Sequence, residues 1–151
     1  MPLPSYLICS MSGSEDSKTE QMSVFHIHEL IKVEPTANAD KSTRKSARHS
    51  LPTQVTASWI LLPAEHTGEE YEFQISILIP GADIEAPFVI DEGRFSFSIR
   101  SHRIVSRGSL KHFPTLGVLW FTAGLRKVGT ELWEETRCPV LIIDEQSPTI
   151  D

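Results

Sequence analysis

The run from Tyr71 to Ile79 constrains this chain more than any other. Tyr71, Phe73, Ile75, Ile77 and Ile79 occupy alternate positions, with Glu72, Gln74 and Ser76 between them. A repeat of two is the period of a strand with one face buried and the other in water. A second apolar run, Val55 to Leu62, precedes it. The polar stretch 64–70 between them reads as a corner, which makes the pair a hairpin.

Further segments carry strand patterning. Residues 5–11 form a first strand, and 12–20 a small polar loop. Residues 22–33 form a second strand, with Phe25, Ile27, Ile31 and Val33 on one face and Glu29 breaking the parity. Val24, Ile27, Ile31 and Glu34 also fit a helical period, but the β-branched content favours the strand. Pro80 and Gly81 end the Tyr71 strand in a turn. Residues 87–90 suit a short edge piece, in keeping with Pro87. In 94–105, Phe95, Phe97 and Ile99 face one way, and the apolar phase then shifts to Ile104. A bulge near Ser101 and His102 would produce that shift.

Residues 106–117 read as a crossing loop. Alternation resumes with Leu119, Phe121, Ala123 and Leu125, and a compact turn follows around Gly129. Residues 132–143 form the last strand, where Pro139 implies an edge or a bulge. Residues 144–151 read as a frayed tail. The expectation is an all-β, two-sheet, mostly antiparallel sandwich of seven or eight strands in one domain, immunoglobulin-like in architecture.

The length of 151 residues suits a single domain with a real core. The net charge of −6 argues against a nucleic-acid binder. The first ten residues lack the basic and apolar regions of a signal peptide, and no apolar run reaches membrane-spanning length. The two cysteines, Cys9 and Cys138, then read as reduced thiols of a cytoplasmic protein, able to pair only if the terminal strands are neighbours.

Residues 36–50 stand apart. Lys41, Arg44, Lys45 and Arg48 against Asp40 give this stretch a charge of +3, so the rest of the chain carries −9. A structureless segment this long is uncommon inside a compact domain and is often functional. Its cations would suit an anionic protein surface. The absence of interleaved aromatic residues argues against nucleic acid.

Three segments resemble a small bacterial family of single-domain β-sandwich proteins of unknown function. They are Tyr6 to Cys9 with Met22 to Ile31; Val55 to Leu62 with Tyr71 to Ile79; and Arg103 to Arg107 with Phe113 to Gly117, Leu119 to Phe121 and Cys138 to Ile143. The likeness spans most of the chain and lies in its apolar positions. The basic stretch at 36–50 departs from it. The resemblance implies a fold and supplies no activity and no site residues.

Little in the chain points to chemistry. His26 and His28 lie two apart on a strand and so share a face, a spacing that could hold zinc. Glu34 lies one residue too far along for the cupin pattern, the second cupin motif is absent, and His112 is the only loosely placed third ligand. Two histidines on a polar strand face is the plainer reading. No Gly-x-Ser-x-Gly elbow and no phosphate-binding glycine loop occurs. The pairs Glu69–Glu70 and Glu134–Glu135 are adjacent and point apart. Trp59, Trp120 and Trp133 could form a sugar-stacking platform if two shared an exposed face. Trp120 has the parity opposite to Leu119 and Phe121, which leaves it exposed or covered by a partner or the other sheet.

The expected function is a non-catalytic interaction or accessory module without a cofactor. Its partner contact is expected at Lys41, Arg44, Lys45 and Arg48. The alternative is a metal- or carbohydrate-binding sandwich.

Overall fold

The computed structural model describes residues 1–15, 22–27, 30–33, 51–78, 87–110 and 117–144. They form the expected all-β sandwich. Eight strands have six residues or more: β1 (Leu3–Glu15), β2 (Met22–Ile27), β4 (Leu51–Ile60), β5 (Glu70–Leu78), β6 (Phe88–Ser96), β7 (Ser101–Leu110), β8 (Gly117–Lys127) and β9 (Glu134–Asp144). A four-residue β3 (Leu30–Val33) adds a parallel pairing to β9, and the other ladders are antiparallel. One sheet has the order β2-β1-β4-β7 and the other β3-β9-β8-β5-β6.

The core lies between the sheets, where the alternating residues place it. Cys9, Val55, Ala57 and Trp59 come from the four-stranded sheet. Tyr71, Phe73, Ile75, Ile77, Leu119, Phe121, Ala123, Leu125, Val140 and Ile142 come from the five-stranded one. Burying one apolar face of each sheet is the main driving term for such a fold. Aromatic rings close one end: Tyr71 and Phe97 meet edge to face at 5.5 Å, and His102 stacks on Phe95 at 3.9 Å.

Several expectations about connectivity are corrected. The central pair is no hairpin: β4 and β5 lie in different sheets, and residues 61–69 carry the chain across. The expected strand at 22–33 is two strands, β2 and β3, again in different sheets. The phase shift near Ser101 comes from a change of sheet rather than from a bulge. β6 ends at Ser96, the chain turns at 97–100, and β7 joins the other sheet. Arg100 fixes this corner, since its Nη1 donates to the carbonyls of Leu62 and Glu65 at 3.0 and 2.9 Å. The loop expected from 106 is strand as far as Leu110.

The short edge piece expected at 87–90 is the beginning of a nine-residue strand, β6, which also takes in the start of the strand expected from Arg94 and is the edge of its sheet among the described residues. β9 is interior to its sheet rather than an edge, and its register with β8 runs through Pro139 without a bulge; among the described residues its pairing with β3 runs from Leu141 to Asp144. Gly129 turns the chain between β8 and β9 at φ 89°, a left-handed conformation that favours glycine. The expected turn at Pro80 and Gly81, the stretch 36–50 and the tail from 145 lie outside the described residues.

Candidate interaction surface

The outer face of the five-stranded sheet is built from the residues that alternate with the core. β5 contributes Glu72, Gln74, Ser76 and Leu78, and β8 contributes Val118, Trp120, Thr122, Gly124 and Arg126. The register sets Leu78 beside Trp120 and Trp120 beside Pro139. In the next row Val118 lies beside Leu141. Val89 of β6 pairs with Ser76 on the same face. Trp120 is 37% exposed and Leu141 41%. The result is a contiguous apolar patch across three central strands. Beside it Thr122 Oγ1 is buried with no hydrogen-bond partner among the described residues.

The other end of this face is charged. Glu72 accepts hydrogen bonds from Arg126 and from Nη2 of Arg94 at 2.7 Å. The guanidiniums, Arg126 first and then Arg94, hold the Glu72 carboxyl below its ordinary value. Arg126 also lies over the Trp133 ring, 4.4 Å from its centroid. The ring rests on Gly124, where a Cβ would come within 3.1 Å of it. Trp120 and Trp133 therefore do share a face, but the guanidinium covers Trp133. Trp59 is 2% exposed and belongs to the core.

The Glu72 cluster gives a testable acid response. A carboxyl held low in the folded state stabilises it above the ordinary carboxylate pKa, and this is lost as pH falls through the lowered value. Glu72→Gln should lower the melting temperature at pH 7 and flatten its fall below about pH 4.5, the ordinary value. Melting curves of variant and wild type should converge in acid. Parallel curves would show that the cluster adds nothing.

The outer face of the four-stranded sheet differs. Ser10, Gln54, Thr56 and Ser58 have the parity of solvent-facing residues yet are buried. Longer side chains from β1 and β7 lie across them. Arg103 Nε donates to the Tyr6 hydroxyl at 2.9 Å and its Nη1 to Glu15 at 2.8 Å. Arg107 Nε donates to Gln54 Oε1 at 3.0 Å, and Gln54 Nε2 donates to Thr56 Oγ1 at 3.2 Å. Sequence reading singled out neither arginine. Their spacing of four on one strand, which places both on one face, was the available signal.

The residues singled out for chemistry fare unevenly. His26 lies in β2, while His28 lies outside the described residues. Among the described residues no three His, Cys, Asp or Glu side chains gather as a metal site. Lys41, Arg44, Lys45 and Arg48 also lie outside the described residues, as does His112. Cys9 of β1 and Cys138 of β9 come from opposite sheets and lie near enough for each to affect the other's ionisation. Both remain free thiols. Burial pushes Cys9 up to about 12, with Cys138 adding to the shift. Thiols held neutral in this way are poor nucleophiles.

No helix among the described residues is long and apolar enough to cross a membrane. No protein-family model matches the chain, and no curated protein matches it.

Proposed function

We propose that this protein is a non-catalytic interaction module of the cytoplasm, in which the outer face of the five-stranded sheet receives a partner protein. The apolar patch at Val118, Trp120, Pro139 and Leu141 carries this reading. Exposed apolar side chains scattered singly need no explanation, but a contiguous patch centred on a tryptophan and flanked by charge has the make-up of a contact surface. Tryptophan at the centre of such a patch is the residue type most often found to dominate binding energy. The basic stretch with Lys41, Arg44, Lys45 and Arg48 would add an anionic contact, and binding through it should weaken with salt. The sandwich would be immunoglobulin-like and related to an uncharacterised bacterial family, a kinship that bears on the fold and supplies no activity.

The carbohydrate-binding alternative rests on Trp120 alone, because Arg126 covers the ring of Trp133. The metal-binding alternative rests on His26 and His28, and metal analysis of the purified protein decides it: stoichiometric zinc would displace the interaction-module reading.

Trp120→Glu combined with Leu141→Ser tests the patch. Exposed substitutions of this kind usually change stability by no more than about 0.5 kcal/mol. The variant should melt within a few degrees of the wild type. A partner identified by co-purification and re-bound in purified form should lose at least about tenfold in affinity, which is ~1.4 kcal/mol. Undiminished binding would move the contact to another surface.

A further inference from the structure

We infer that Cys9 and Cys138 are an oxidisable pair, which a low-molecular-weight disulfide converts into a bridge between the first and last strands. Three observations bring the two thiols together. The first is their face. Cys9 lies opposite the core residue Val55 in the ladder of β1 and β4, and Cys138 lies opposite the core residue Phe121 in the ladder of β8 and β9. Residues directly opposite in an antiparallel ladder share a face. Both cysteines therefore point into the layer between the sheets.

The second is the approach of the strands. β1 and β9 belong to opposite sheets, and among the described residues they are the most extensively apposed strands across the sandwich. Some of their Cα atoms lie within 8 Å of each other, closer than the ~10 Å usual between stacked sheets. A disulfide joins Cα atoms about 4.4–6.8 Å apart, which strands this close can reach with a small shift. The third is packing. Cys9 is fully buried in the core, and Cys138 packs against that core from a partly exposed position. The two also lie near enough for each to affect the other's ionisation.

The difference in exposure sets the order of events. Cys138, the more accessible thiol, attacks the small disulfide as its thiolate and expels one small thiol, which leaves a mixed disulfide on Cys138. Cys9 then attacks the Cys138 sulfur, and the second small thiol leaves. The two cysteines are oxidised, the small disulfide is reduced to two thiols, and the protons of the cysteines end on them. Burial keeps Cys9 neutral, so the second step is slow. The pair therefore stays reduced in a reducing compartment and closes under sustained oxidation. Closure ties β1 to β9 and encloses most of the chain in one loop, the arrangement in which a disulfide restricts the unfolded chain most. The Trp120 patch lies on the outer face of the same sheet as Cys138 and plays no part in the bridge.

The test holds the folded full chain overnight with oxidised glutathione, and chain unfolded in urea is the control that the oxidant reacts. Intact mass should show the loss of two hydrogens with no added glutathione, and no free thiol should remain. Mapping of unreduced peptides should find Cys9 linked to Cys138, in a species that runs as a monomer on a non-reducing gel. The melting temperature should rise by roughly 10 °C and return to its starting value with dithiothreitol.

Cys9→Ala should stop at a mixed disulfide on Cys138. Cys138→Ser should take up no glutathione and gain no stability. The peptide mapping needs neither variant to fold. Both thiols kept in the folded chain, an arrest of the wild type at the mixed disulfide, a bridge between two chains, or a bridged form that melts no higher would each overturn the assignment.

Discussion

Phe73→Ala is expected to remove about 3–5 kcal/mol of stability, the usual cost of deleting a buried phenylalanine ring. A domain of this size is stable by only about 5–15 kcal/mol, so the loss is a large fraction of the total. In melting temperature it corresponds to roughly 6–20 °C. Phe73 lies on β5 between two neighbours, paired with Leu125 of β8 and Gly93 of β6. Its ring lies across Gly93, where a Cβ would come within 2.9 Å of the ring edge, and reaches Phe95 at 6.2 Å between centroids.

The glycine supplies a second arm to the experiment. Gly93→Ala alone should destabilise, because the new methyl meets the ring. Combined with Phe73→Ala it should recover part of the loss, because the methyl then fills space the ring has left. A double-mutant cycle on urea midpoints would show this as a coupling between the two sites. Simple additivity, or a melting temperature unchanged by Phe73→Ala, would mean that the ring is not packed on Gly93.

The buried faces of β5 and β8 were legible in the sequence, and their sheet was not; Ile99, expected on one face with Phe97, is exposed in the turn after β6. The alternation through Tyr71, Phe73, Ile75 and Ile77 fixed which side chains enter the core, and Leu119, Phe121, Ala123 and Leu125 did the same for β8. A period of two names the buried face but is silent on which of two facing sheets the strand joins, since both bury the same kind of face. The β4–β5 connection therefore reads as a hairpin, although residues 61–69 cross the sandwich. What separates the cases is long-range, such as Arg100 holding the carbonyls of Leu62 and Glu65.

The same limit hid the polar layer on the other sheet. Gln54, Thr56 and Ser58 alternate with apolar residues and so read as solvent-facing. They are covered by Tyr6, Arg103 and Arg107, which come from strands distant in sequence. The Trp120 patch was half visible: its parity put Trp120 outside the core, but its neighbours Leu78, Pro139 and Leu141 are set by register alone.

Alkaline pH should unfold this protein earlier than its acidic composition suggests. Two groups in the core region titrate only with difficulty. Burial raises the Cys9 thiol from 9.0 to about 12. The ring of Tyr71 is buried while its hydroxyl donates to Glu69 at 3.3 Å, and burial followed by the Glu69 charge raises it from 10.0 to about 12. Above pH 9 the unfolded chain releases the Cys9 proton that the folded chain retains. The folded state then binds more protons than the unfolded one, and stability falls as pH rises.

Each such group contributes a slope of ~1.4 kcal/mol per pH unit inside its window. For Cys9 the window runs from 9.0 to about 12, an upper total of about 4 kcal/mol. Tyr71 steepens the fall above pH 10. Melting temperature measured from about pH 7 to 11 should stay level at first and then drop progressively. Cys9→Ala should lower stability at neutral pH, through the small cavity it leaves, but flatten the first part of the drop, above pH 9.0. Adding Tyr71→Phe should flatten the remainder. Should the double variant keep the full alkaline drop, neither group is the origin of the lability, and the buried Cys9 and Tyr71 positions would be wrong.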